Sequence, residues 1–391
     1  MNLFLAALNL NIFAGSLLAY ADNTPNLCTD DIPYLTKIKP SATSDHIIPD
    51  ITVGKATYSG DWEHFVVRPP LEGNAKYERV LVYIPGTTDR PELSSCLIKS
   101  AAETLDFPTL ALSYQYLSSG DSFRNGNCAL YATDQVACLE EQHKDAINGG
   151  NYGATTFKKD NITAIWGEVL PENSLKSRLG DLLTYLHAAH PAEGWDGFLK
   201  DGRPKWDNMI VSGHSQGAGH AAYLAKTETL RGAVMISGPQ DECLNCADGA
   251  KYWIDDGPYA SGRATYAALG HGDEPLFSTM KGNWRRMQVA AGGGMNWETA
   301  EPADVGFALN TDVADVFRSP LRTDVQYAAN STCGGKEHCS TAIDDSVPLI
   351  ETYTGKKLYL YEATVWPSLL MAIGRPVGGG KSRKRRKLPF D

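Results

Sequence analysis

Short apolar runs alternate along this chain with segments whose apolar residues recur every three or four positions, and the alternation begins near residue 79. Val80-Leu-Val-Tyr-Ile84, closed by Pro85-Gly86, has the pattern of a buried strand. A helix across residues 97–105 and a second strand across residues 109–114 are predicted next. Leu175, Leu179, Leu182, Leu183 and Leu186 form one apolar stripe at helical spacing. Met209-Ile-Val-Ser212 predicts another buried strand, and Ala218, Gly219, Ala221, Ala222 and Leu224 give the helix after it a small-residue face for close packing. Ala233-Val-Met-Ile-Ser237 and Ala264-Thr-Tyr-Ala-Ala-Leu269 are short enough for further parallel strands, and Phe65-Val-Val67 is expected as an antiparallel edge. The fold class predicted is α/β: a mostly parallel, doubly wound sheet with helices on both faces. Stretches 117–160 and 239–262 are too long for tight connections and are expected as loop insertions at the strand carboxyl ends, where such sheets build pockets. There is no internal repeat.

Composition narrows the class. A chain of 391 residues with 42% hydrophobic content can bury a large core, and residues 22–374 are read as one catalytic domain. Six of the seven residues from Lys381 to Lys387 are basic, so the formal charge of −10 understates how acidic the rest is. An acidic body excludes general nucleic-acid binding, and residues 375–391 are read as a disordered basic tail. Residues 1–21 are read as a secretory leader ending in the small-x-small site Ala19-Tyr-Ala21. The leader has no Lys or Arg at its start, and Asn9 and Asn11 interrupt its apolar run, so a buried N-terminal helix is the competing reading. No later segment has the roughly 18 consecutive apolar residues of a membrane span, so no integral span is expected. Eight cysteines, several in close pairs (Cys128 with Cys138, Cys243 with Cys246, Cys333 with Cys339), favour disulfides in an oxidising exterior. Cys243-Leu-Asn-Cys246 also has the spacing of half a zinc site, but no second pair matches it, and no metal is expected. Asn161-Ile-Thr163 and Asn330-Ser-Thr332 are glycosylation sequons.

The chemistry centres on Gly213-His-Ser-Gln-Gly217, which reads as a nucleophile elbow. A serine held in a sharp strand-to-helix turn leaves no room for neighbouring side chains, and Gly213 and Gly217 supply that room. Ser215 is the expected nucleophile, and a serine hydroxyl needs a base that is itself oriented by a carboxylate. The loop Gly270-His-Gly-Asp-Glu-Pro275 offers Asp273 as that acid, with Glu274 and Asp241 as contenders. Among nine histidines His338 is preferred as base, on a loop that a disulfide between Cys333 and Cys339 could pin, with His271 as its rival. His214 is expected to face away from the hydroxyl, and His220 to be a packed or hydrogen-bonded histidine of the elbow helix. The oxyanion hole is assigned to the main-chain N–H groups of Gln216 and Thr87, with Thr88 or Gly86 as alternatives to Thr87.

The ordered set Pro85-Gly-Thr87, Gly213-His-Ser-Gln-Gly217, Asp273 and His338 resembles the α/β-hydrolase superfamily of secreted esterases and lipases, over roughly residues 60–370. More narrowly, residues 213–223, Ser237-Gly-Pro239 and Trp284 are similar to a little-characterised group of secreted α/β-hydrolases, which by analogy places the acid and base at Asp273 and His338. The resemblance implies an extracellular serine hydrolase that cleaves a small-molecule or lipid-like carboxylic ester through an acyl-enzyme, with no cofactor. It departs from one lipase branch in lacking a His-Gly-Gly-Gly run and a recognisable lid. A peptidase, amidase or acyltransferase using the same triad, or a secreted binding protein without turnover, are the alternatives, because a fold does not fix a substrate.

Overall fold

The computed structural model describes residues 28, 32–46, 48, 50–53, 56–105, 107–115, 128–130, 132, 134–150, 169–247, 250–261, 265–290, 303–304, 320–329, 331, 333, 335–351, 357–362 and 365–374. The expected leader, Asn161, Asn330 and the basic tail lie outside the described residues.

Among the described residues nine strands form the main sheet: β1 (Leu35–Ile38), β2 (His64–Val67), β3 (Val80–Ile84), β4 (Thr109–Ala111), β5 (Met209–His214), β6 (Gly232–Ile236), β7 (Thr265–His271), β8 (Ala303–Asp304) and β9 (Leu321–Thr323). Their spatial order is β1-β2-β4-β3-β5-β6-β7-β9-β8. β2 runs antiparallel to both β1 and β4, and every pairing from β4 onward is parallel. This is the mostly parallel sheet, with helices on both faces, that the sequence predicts. One detail differs: residues 65–67 are not the edge, because Leu35–Ile38 pairs outside them.

Parallel strands covered on both faces must be apolar at every position, and β3 shows how the period of two still operates. All five of its residues are buried, yet Val80, Val82 and Ile84 enter one core while Leu81 and Tyr83 enter the other. Met209 and Val211 of β5 follow the first set and Ile210 the second; Ala233 and Met235 of β6 part in the same way from Val234 and Ile236.

Helices α1 (Ser95–Leu105), α2 (Gln135–Asn148), α3 (Leu175–Ala189), α4 (Gln216–Thr227), α5 (Phe277–Ala290), α6 (Lys336–Cys339) and α7 (Val365–Gly374) complete the layers. The predicted leucine stripe of α3 is buried throughout, each side chain contributing about 1.5–3 kcal/mol. It lies with α2 and α4 in the core of the first face. Cys96, Leu97, Ile98 and Ala101 of α1 meet Val365, Trp366, Leu369 and Leu370 of α7 in the second. The insertion 117–160 contains a helix, α2, whose N-terminus is capped by Asp134 accepting from the Ala137 N–H at 3.0 Å.

Four disulfides join Cys28 to Cys96, Cys128 to Cys138, Cys243 to Cys246 and Cys333 to Cys339, which is consistent with an oxidising environment. The Cys243–Cys246 bond takes up the pair that carried the zinc reading. Among the described residues no helix is long and apolar enough to cross a membrane.

Candidate active site

The site residues lie just past the carboxyl ends of β3, β5, β6 and β7, together with the loop that carries α6. Ser215 stands between β5 and α4 at φ 55° and ψ −120°, a conformation rare for a residue with a side chain. Two close approaches impose it. A Cβ on Gly213 would collide with the main chain of Gly217, and a Cβ on Gly217 would collide with the carbonyl groups of Ile84 and Pro85. The turn remains partly open to solvent at Ser215 while its neighbours His214 and Gln216 are buried. The first N–H groups of α4 have no acceptor within the helix, and with the helix dipole they make the space above Ser215 favourable to negative charge.

The loop after β3 packs directly on this elbow. A Cβ on Gly86 would stand 2.7 Å from Oδ2 of Asp89, 3.0 Å from Cβ of Ser215 and 3.2 Å from Nδ1 of His214, so a larger residue there would have to displace the Asp89 carboxyl and crowd the elbow. Asp89 N–H closes the turn on the Gly86 carbonyl at 3.2 Å, with Thr88 at φ 63°. Thr87 Oγ1 donates to Oε1 of Gln216 at 2.8 Å, which fastens the turn to the helix. The two residues assigned to the oxyanion hole are therefore neighbours in space.

His338 sits half-buried on α6, and its Nδ1 donates to Oε2 of Glu274 at 2.6 Å. Glu274 is buried, and its Oε1 accepts from the His271 N–H at 3.3 Å. Asp273, the residue chosen as acid, is exposed; its N–H donates to Nδ1 of His271 at 3.2 Å. The structure thus brings His338 to Glu274 and not to Asp273. The reason is local: consecutive residues of the turn after β7 face opposite ways, and Glu274 is the one turned inward. The rival base His271 is buried, with Nε2 donating to the Val325 carbonyl at 3.0 Å.

Asp241, the other contender, belongs to a separate buried group. Its Oδ2 accepts from His143 Nε2 at 3.0 Å and from the indole N–H of Trp253, and His143 Nδ1 faces His220 Nδ1 at 3.0 Å. This set ties α2, α4 and the loop after β6 together beneath the elbow.

The loop bearing His338 is moored at several points. Ser237 Oγ, just past β6, pairs with Thr341 Oγ1 at 2.9 Å, and Trp366 Nε1 donates to the Thr341 carbonyl at 2.9 Å. Asp344 accepts from the Cys96 N–H at 3.1 and 3.2 Å; burial pushes its carboxyl well above the usual range, and the N–H donors of Cys96 and Ser95 draw it partly back. Cys333 and Cys339, flanking His338, are bonded as the sequence reading allowed.

Two groups at the site were given no part in the chemistry by sequence reasoning. The side-chain amide nitrogen of Gln240 lies 3.1 Å from Nδ1 of His338. His214, expected to face away from the hydroxyl, has its ring against that of His338, tilted, with centroids 4.8 Å apart. Its position next to Ser215 was the signal in the sequence. Among the described residues no group of three or more His, Cys, Asp or Glu side chains is arranged to hold a metal ion.

No protein-family model matches the chain, and no curated protein matches it. Solved structures with a likeness to it include carboxyl esterase 2 from the mycorrhizal fungus Tuber melanosporum, at 11% identity over 92% of this chain and 88% of that one, with a TM-score of 0.36. Another is an esterase of Pyrobaculum calidifontis, at 12% identity over 75% and 76%, with a TM-score of 0.33. A third is EstE1, a thermophilic carboxylesterase cloned from a metagenomic library, at 12% identity over 68% and 79%, with a TM-score of 0.33. At such identities and TM-scores these likenesses add nothing to what the topology and side chains themselves show.

Proposed function

We propose that this chain of α/β-hydrolase type is a secreted serine hydrolase that cleaves a small-molecule or lipid-like carboxylic ester through an acyl-enzyme on Ser215. The observation that carries the reading is the pairing of His338 with buried Glu274, together with the contact of His338 with His214, the residue before a serine held at a strained elbow. Ser215 Oγ attacks the acyl carbonyl and passes its proton to His338. Glu274, in the place first given to Asp273, holds the ring and balances its charge. The N–H groups of Gln216 and Thr87 receive the oxyanion. Collapse of the tetrahedral intermediate breaks the bond to the leaving alcohol, which takes the proton from His338. Water then repeats the sequence: His338 removes its proton, the acid departs and Ser215 regains its hydrogen. Four disulfides support export to an oxidising exterior.

The test is labelling by a fluorophosphonate probe, followed by hydrolysis of p-nitrophenyl esters of increasing acyl length. The parent protein is expected to label and turn over, and Ser215→Ala to do neither while melting at the same temperature. Turnover retained in Ser215→Ala would overturn the assignment.

A further inference from the structure

His214 takes no part in the proton transfers above, yet it is only 1% exposed and has a partner on each ring nitrogen. Nδ1 lies 3.2 Å from Oδ2 of Asp89, in the turn that carries Thr87. Nε2 lies 3.1 Å from the main-chain oxygen of His338. A carboxylate and a carbonyl can only accept, whereas a neutral imidazole has a single N–H to give. The Nε2 hydrogen therefore goes to the His338 carbonyl, and Nδ1 shares a hydrogen with the Asp89 carboxyl, so the one ring is bonded on both sides. His271 supplies the contrast. There Nε2 donates to Val325 and Nδ1 accepts from the Asp273 N–H, so one hydrogen serves both bonds.

The position of the ring gives these two bonds a consequence. Asp89 ends the turn whose Gly86 lies against Cβ of Ser215, and the carbonyl that His214 holds belongs to the base itself. One side chain therefore spans from the oxyanion side of the site to the proton-transfer side, anchored at the residue next to the nucleophile.

We propose that His214 is a positioning residue: bonded to Asp89 through Nδ1 and to the main chain of His338 through Nε2, it bridges the turn carrying Thr87 to the base and holds the oxyanion donors and the base in register across Ser215. The proposal rests on the reading of Ser215 and His338 as nucleophile and base. His214→Phe keeps a ring of similar size and loses both bonds; Asp89→Leu loses one. Asp89→Asn retains the bridge in another form, because its amide donates to an unprotonated Nδ1 while Nε2–H still reaches the His338 carbonyl.

The experiment has two arms. In the first, steady-state hydrolysis of a short p-nitrophenyl ester is expected to show kcat lowered about 10- to 100-fold in His214→Phe and Asp89→Leu. KM should change by less than about threefold, since the interaction serves the transition state more than binding. Asp89→Asn is expected to recover most of the kcat lost in Asp89→Leu. An unchanged kcat in both disruptive variants, a KM that rises in step with the loss, or no recovery in Asp89→Asn would overturn the proposal. In the second arm, nitrogen-15 NMR of histidine-labelled Ser215→Ala protein reads the ring without any turnover. Nε2 of His214 is expected to bear a hydrogen that exchanges slowly with solvent, as its bond to the His338 carbonyl requires, and to keep it when Asp89→Asn is added. An Nε2 without a hydrogen, or one whose hydrogen exchanges freely, sinks the bridge, even should His214→Phe fail to fold. Turnover surviving in Ser215→Ala removes the nucleophile assignment instead, and the NMR outcome still decides the state of His214.

Discussion

Glu274 accepts the Nδ1 hydrogen of His338 at 2.6 Å and is itself held by the main-chain N–H of His271. A carboxylate so placed fixes the ring tautomer with the hydrogen on Nδ1, which makes Nε2 the basic nitrogen. Replacing it with an amide keeps the shape and removes the charge. Glu274→Gln is therefore expected to lower kcat by about 10³- to 10⁴-fold, and exposed Asp273→Asn to leave it near the parent value. Steady-state hydrolysis of a short activated ester separates the two, and the reverse outcome would restore Asp273 as the acid.

The elbow depends on Gly217 because the main chain at the end of β3 occupies the space of a side chain. Gly217→Ala must push the helix start away from β3, at a cost of about 1–3 kcal/mol. The shift moves Gln216 and Ser215 together, so kcat should fall about 100-fold. Thermal melting and turnover measured on the same preparation check both. A variant with parent-like activity would mean that the turn is looser than its packing implies.

Asp241 is expected to be structural. Asp241→Ala leaves the buried N–H groups of His143 and Trp253 without their acceptor, a loss of about 3 kcal/mol or more. Urea unfolding reads that loss, while the folded fraction should still react with a fluorophosphonate at the parent rate. A stable variant unable to react would make Asp241 part of the chemistry.

His64 gives a pH dependence of known sign. Burial, and secondarily the Arg178 guanidinium, lower its pKa from 6.5 to about 3, and its Nδ1 accepts from the Ser113 N–H at 2.9 Å. Above 6.5 the ring is neutral whether the chain is folded or not. As pH falls from there toward 3 only the unfolded chain takes up the proton, so stability declines by up to about 1.4 kcal/mol per pH unit. His64→Asn, whose carbonyl can accept from Ser113, should flatten the acid limb of urea stability against pH. Equal slopes in variant and parent would mean that His64 is not the source.

The sheet was legible because buried parallel strands and amphipathic helices write different periods. The apolar run at 80–84 and the leucine stripe at 175–186 became β3 and α3 almost residue for residue. The elbow was legible because its glycines are demanded by steric contact two residues either side of Ser215. The choice between Asp273 and Glu274 was not, since adjacent side chains in a turn differ only in direction, and nothing local in the sequence records direction. The strand at 35–38 escaped notice for a related reason: Thr36 and Lys37 break its apolar pattern at an edge where one side needs no partner. The place of His214 depends on Asp89 and His338, which lie 125 and 124 positions away along the chain.

The helix that follows Ser215 packs into one core, whereas the loop bearing His338 is tied through Trp366 and Cys96 to helices of the other. The two halves of the proposed catalytic apparatus thus lean on opposite sides of the sheet. Loosening the α1–α7 layer alone would let the proton acceptor drift while the hydroxyl stayed presented. Inactivation can in that way run ahead of unfolding, and a silent molecule need not be a denatured one.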